Sequence, residues 1–263
     1  MAAAPTLISF AGRSEPLSAD GLASAADALS IKAPEIWSVL TVETSACGFL
    51  NDRRPQILYE RHIFHRLTHG QFDDGDISDP TQGGYGAGGA HQYDRLNRAI
   101  AKNRTAALQS ASWGVGQLMG ENCAVCGFDD VEAMVARMSE SEDAQLAGFV
   151  CFLKSNKLDR ALQAHDWTTF ARGYNGPTFA KNNYDTNLRG EFQKYSTGSL
   201  PDVALRAAQL LLTYLGFHPG PVDGQPGPRT RAALSEFQKQ QGLNESGDVD
   251  DETTQRLRQV ALA

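Results

Sequence analysis

The sequence predicts a mainly α protein in two parts, and three observations carry that prediction. Most segments of the 263-residue chain repeat their apolar residues at helical spacing. Strand signal is confined to one short run. A polar stretch, Ser196-Thr197-Gly198-Ser199-Leu200-Pro201, interrupts the chain with the composition of a linker. The expected division is a large domain over 1–195, a linker over 196–202 and a small three-helix domain over 203–263. A chain this long buries a sizeable core without disulfide or metal staples.

The elements follow in order. Leu22, Ala25, Ala26 and Leu29 form one helical stripe behind Ser18, which suits an N-cap. Ile36, Val39 and Leu40 form a second behind Pro34, whose fixed φ fits a first helical turn. Gln56-Ile57-Leu58-Tyr59-Glu60 is the best strand. From Gly70 to Ala90 the chain has seven glycines, four aspartates and no Lys or Arg, which predicts a long mobile loop. Ser139-x-x-Glu142 reads as a capping box ahead of a helix with Leu146, Phe149, Val150 and Leu153 inward. Asp166 is positioned to cap Trp167–Tyr174, which stops at Asn175-Gly176-Pro177. Beyond the linker, Ala204, Leu205, Ala208, Leu211 and Leu212 recur at helical spacing and Gly216 fits a C-cap. A Gly/Pro-rich turn, a helix with Ala233, Leu234 and Phe237 on one face, Gly242 and a third helix from near Asp251 complete the module. It has few ionisable groups that could converge. The chain shows no solenoid-period repeat.

Charge and motifs exclude several functions. With 24 basic against 31 acidic residues the net charge is −7, which disfavours nucleic acid and anionic membrane as partners. No run approaches the ~18–20 apolar residues of a membrane span. The N-terminal MAAAPTLISFAGRSEP lacks the charged region and continuous apolar stretch of a secretory signal, so synthesis in the cytoplasm is expected. Cys123 and Cys126 form a C-x-x-C without a second pair, so these two, with Cys47 and Cys151, are read as packing. His62, His65 and His69 could share one helical face, yet there is no H-E-x-x-H and Arg61 and Arg66 repel a cation, so no metal is expected. No G-x-S-x-G occurs.

Two carboxylates remain. Glu43 lies seven residues after Ile36, four after Val39 and three after Leu40, on the apolar face if the helix continues. Burial there would keep it protonated, as protonation of a leaving glycosidic oxygen requires. If the helix stops a residue or two earlier, Glu43 is a solvated terminal residue. Glu60 closes the short strand on the side of Leu58, either as a surface partner of Arg61 or His62 or as a second carboxylate able to orient water. Asp73, Asp74, Asp76 and Asp79 compete for that second role. Gln117 and Met119, in S-A-S-W-G-V-G-Q-L-M-G, and Tyr174 and Asn175, in A-R-G-Y-N-G-P, offer an aromatic plate and amides of the kind that line sugar clefts.

The order of these phrases resembles the lysozyme-like superfamily. More closely, Val42-Glu43-Thr44-Ser45, Ile57 to Phe64, Ala111-Ser112-Trp113-Gly114 and Phe170 to Pro177 resemble the N-acetylmuramidase family of phage and prophage endolysins, over roughly Pro34 to Tyr195. The resemblance implies a lysozyme-like α fold and cleavage of the β-1,4 bond between N-acetylmuramic acid and N-acetylglucosamine. It carries the general acid onto Glu43 and a second acidic role onto Glu60. It also places Gln117, Met119, Tyr174 and Asn175 in the glycan groove. Residues 203–260 are similar to the three-helix peptidoglycan-binding module, through Leu215-Gly216-Phe217, Val222-Asp223-Gly224 and Gly227-Pro228-Arg229-Thr230. Pro226 replaces the module's usual aromatic, and its last helix lacks the common Trp after Thr254. The expectation is a monomer that uses no cofactor, has bacterial peptidoglycan as its partner and acts on the cell wall after release. A lytic transglycosylase or a non-catalytic wall-binding protein are the competing readings.

Overall fold

Helix α1 (Ala19–Leu29) starts where Ser18 accepts a hydrogen bond from the Gly21 amide, and buries Leu22, Ala25 and Leu29. The structure, a computed structural model, describes residues 10–263 apart from 45, 46, 73, 177–179 and 181–182. The readings of the N-terminal leader, except its residues from Phe10 onward, and of Ser45, Asp73 and Pro177 therefore lie outside the described residues. Helix α2 (Ala33–Thr44) carries Pro34 in its first turn and runs through Thr44, so Glu43 is inside the helix. It is buried nearly all round: Trp37, Val39 and Leu40 are fully enclosed. A helix of that kind belongs at a domain centre.

Strand β1 (Ile57–Tyr59) pairs antiparallel with β2 (Ala111–Trp113), which pairs with β3 (Leu118–Met119). The register sets Ile57 opposite Trp113, Leu58 opposite Ser112, and Ser112 opposite Met119. Alternation then gives the sheet two faces. Tyr59, Ala111 and Trp113 enter the core, while Leu58, Ser112 and Met119 face the other way. The helices α3 (Arg61–Leu67), α4 (His91–Ile100), α5 (Arg104–Gln109) and α6 (Val131–Glu140) close the inner face into one hydrophobic core. A second core gathers α1, α2, α7 (Glu142–Ser155), α8 (Leu158–Gln163), α9 (Trp167–Asn175) and α10 (Tyr184–Thr197). Helix α10 takes in Ser196 and Thr197, so the first two residues of the expected linker are helical.

Two expectations need correction. Ser139 does not cap the helix that follows it. It lies inside α6, where its hydroxyl donates to the Val135 carbonyl, and the N-cap of α7 is Ser141, which accepts from the Ala144 amide. The Gly/Asp-rich loop is not loose either. Asp74 and Asp76 accept from Arg98 at 2.6 and 2.5 Å, the Tyr59 hydroxyl donates to the Ile77 carbonyl, and Ile77 is buried. Gln92 donates to the carbonyls of Tyr85 and Ala87 at 2.7 Å and accepts from the Tyr59 amide. Cations in the neighbouring helix, absent from the loop itself, staple it down.

The C-terminal domain comprises α11 (Val203–Tyr214), α12 (Pro228–Gln241) and α13 (Asp251–Ala261), with Pro228 at the start of α12 and Gly242 at its left-handed C-cap. Its two inter-helix loops are held alike. Gln209 accepts from the Asp223 and Gly224 amides and donates to Thr230, and Gln238 accepts from the Gly247 amide and donates to Thr253. Gly224 and Gly247 both have positive φ, at 67° and 71°. Each buried glutamine thus replaces ladder hydrogen bonds that an irregular loop lacks.

This domain is joined to the rest by more than its linker. Arg206 of α11 is fully buried and makes a bidentate ion pair with Glu142 of α7, two contacts of 2.6 Å. Glu142 also accepts from the amides of Leu17 and Gly48, so four donors converge on one carboxylate. The Tyr214 hydroxyl donates to the Ser14 carbonyl, and Arg258 of α13 pairs with Glu15. Among the described residues no helix is long and apolar enough to cross a membrane.

Candidate active site

A cleft of about 390 Å³ lies between the two larger cores, lined on one side by α2, α9 and α10 and on the other by the outer face of the sheet. Both candidate carboxylates line it, as do Gln117, Met119, Tyr174 and Asn175. The last turn of α2 sets the position of Glu43. The Thr44 hydroxyl donates to the Val115 carbonyl at 3.1 Å, fastening the helix end to the β2–β3 turn. Burial of the Glu43 carboxyl raises it from 4.5 to about 7, against a lowering hydrogen bond from Tyr184. The negative end of the α2 dipole acts in the same direction as burial. At neutral pH a large share of Glu43 therefore holds its proton.

Glu60 enters from the opposite wall. Its amide donates to the Ser110 carbonyl, which extends the β1–β2 pairing by one residue and keeps its side chain on the face of Leu58. Burial pushes its carboxyl above the ordinary range, opposed by His62, by a hydrogen bond with Tyr85 and by Arg95. His62 Nδ1 stands 3.0 Å from Glu60 Oε2, and both atoms are buried. Tyr85 and Gln82 bring the Gly/Asp-rich loop to the cleft, whereas the described loop aspartates do not line it. Asp79 pairs instead with Arg61 at 3.5 Å.

The other residues singled out from sequence divide in their behaviour. Gln117 lines the wall, but its amide is consumed internally: Oε1 accepts from Ser112 and Nε2 donates to the Gly114 carbonyl, both at 2.8 Å. Gly114 and Gly116 of the same phrase allow close approach of α7, since a Cβ would meet Gln145 at 2.5 Å and Phe149 at 2.6 Å respectively. Met119 offers its thioether opposite Ser112. The Tyr174 hydroxyl donates to the Gly116 carbonyl, and its ring stacks on Phe170 at 5.7 Å. The three histidines do not converge. His65 meets Ser78, His69 lies beyond α3 in a left-handed conformation, and no group of three metal-ligating side chains occurs among the described residues. The four cysteines are free thiols, and burial pushes Cys47 up to about 12.

Tyr184 is a residue that sequence reasoning missed. Its hydroxyl donates to Glu43 Oε1, and its ring lies nearly parallel to Tyr174 at 6.3 Å. It follows Asn182-Asn183, which carries no helical or strand period, and contacts Glu43 across 141 residues of chain. Only the helical stretch Tyr184, Leu188 and Tyr195 could have flagged it, and that reads as core.

Residues 32–196 match the family described as N-acetylmuramidase, and residues 202–257 match the family of peptidoglycan binding domains. Among solved structures, the chain is similar to the crystal structure of the Burkholderia AP3 phage endolysin. The TM-score is 0.63 at 39% identity, covering 69% of this chain and 71% of that one. Among curated proteins, the chain is 45% identical over 53 residues to the localization factor PodJL of Caulobacter vibrioides. That match covers 20% of this chain and spans 5% of the length of the relative.

Proposed function

The chain belongs to the N-acetylmuramidase family, and from that premise we propose that it hydrolyses the β-1,4 bond between N-acetylmuramic acid and N-acetylglucosamine of peptidoglycan, with Glu43 as general acid. The observation that carries the reading is the enclosed carboxyl of Glu43, raised to about 7 and set in one cleft with a second carboxylate. Protonated Glu43 gives its proton to the glycosidic oxygen as positive charge develops at the muramic acid carbon. Glu60, on the opposite wall of the same cleft, is assigned to that charge or to the attacking water. Met119 and the cleft-lining edge of the Tyr174 ring are assigned to the sugar, and Gln117 to shaping the wall.

In this reading residues 1–195 form the catalytic domain, 196–202 the linker and 203–263 the anchor. The protein works as a monomer without a cofactor, on the wall, once a membrane lesion or lysis has released it. The wall is anionic and so is the chain, at −7, so adhesion depends on specific groove contacts. Mass spectrometry of the products from purified sacculi tests the reaction. Reducing-end muramic acid, one water heavier than the anhydro form, is the expected product. Products ending in 1,6-anhydromuramic acid would reassign the enzyme as a lytic transglycosylase, and adhesion without any released fragment would make it a binding protein.

A further inference from the structure

A protonated carboxyl has one O–H and one carbonyl-type oxygen, and only an oxygen without the proton is a good acceptor. Glu43 Oε1 accepts from the Tyr184 hydroxyl. We propose that Tyr184 is a positioning residue that fixes the transferable proton on Glu43 Oε2; the inference rests on Glu43 being the general acid.

The surroundings leave Tyr184 little choice. A phenol has a single hydrogen, and Tyr184 gives it to Glu43. The ring cannot swing. It stacks on Tyr174, which is pinned by Phe170 in parallel stacking and by Phe149 and Phe152 edge-on, with its own hydroxyl on the Gly116 carbonyl. Burial and the neighbouring Glu43 charge keep the phenol protonated well above its ordinary range, so it remains a donor throughout turnover. Asn175 lines the cleft beside it.

The same bond changes strength during the reaction. It is neutral while Glu43 holds its proton and charge-assisted once the proton has left, when such bonds are roughly twice as strong. Tyr184 thus favours both the correct oxygen and the act of donation. Among the described cleft-lining side chains, Glu43 and Glu60 are the only carboxyls. Tyr174 and Tyr184 flank the first, and His62 and Arg95 accompany the second.

Tyr184→Phe keeps the ring and removes the hydrogen. Because the hydroxyl favours the carboxylate over the acid, its loss raises Glu43, and the alkaline limb of the pH–rate profile should move up by on the order of one unit. Turnover should fall ~10-fold or more with KM nearly unchanged. A ¹³C carboxyl titration of Glu43, assigned by difference from Glu43→Gln, reads the same shift even if the variant is too slow to assay, and near-UV circular dichroism confirms the fold. An unmoved titration, or wild-type turnover with an unmoved limb, would reduce Tyr184 to packing. That failure is distinguishable: an inactive Glu43→Gln beside an unaffected Tyr184→Phe retires only this inference, whereas an active Glu43→Gln removes the general acid itself.

Discussion

Glu43 is held between burial, which favours its acid form, and the Tyr184 hydroxyl, which favours its carboxylate. Glu43→Gln should lower activity on purified peptidoglycan by ~10²–10⁴-fold with the fold intact. The wild-type rate should decline on the alkaline side of about pH 7 as the donor loses its proton. Stability follows the same sign. The folded protein holds this proton more tightly than the unfolded chain, so the contribution is complete below 4.5 and is lost as pH rises to about 7. Denaturant titrations at both ends of that window should find Glu43→Gln gaining on the wild type as pH increases. Glu60→Gln should also impair hydrolysis, and a wild-type rate would pass its role elsewhere. Three apolar neighbours gave the face of Glu43 but not whether the helix reached it, as α2 does; alternation put Glu60 beside Leu58 but left a surface partner and a cleft carboxylate both open. Tyr184 was not legible, since no local pattern encodes a partner 141 residues away. Gln117 was seen as a cleft residue, but sequence does not show that its amide is already satisfied by Ser112 and Gly114.

Helix boundaries show where local signals suffice. Ser18 and Asp166 cap as their spacing predicts, each accepting from the amide three residues on. Ser139 and Ser141 are both eligible, and α6 runs on through Ser139 and Glu140, which leaves Ser141 as the cap. Ser141→Ala should cost about 1 kcal/mol in unfolding free energy. Ser139→Ala should cost less, since its hydroxyl only shares a carbonyl within the helix. The Gly/Asp-rich loop was legible in extent but not in state. Its aspartates read as solvated because the cations that hold two of them, Arg95 and Arg98, belong to the next helix.

At the scale of the molecule, Arg206 joins the domains. In sequence it is a single cation in an apolar helix, and Glu142 is a capping-box acid; only the fold places both out of reach of water. Arg206→Ala leaves Glu142 buried without its counter-charge and should destabilise the protein by about 3–5 kcal/mol in chemical denaturation. A chain ending at Pro201 loses the same partner. It should unfold at lower denaturant than the full chain as well as fail to sediment with sacculi; unchanged sedimentation would make the three-helix tail a structural cap. The coupling also bears on how such an enzyme would travel over its substrate. An anchor on a slack tether lets the active site search every bond within the tether's length. Here the ion pair, with Tyr214 on Ser14 and Arg258 on Glu15, removes that freedom. Each foothold then offers a single fixed offset at which a glycan can be cut, and reaching the next bond requires letting go.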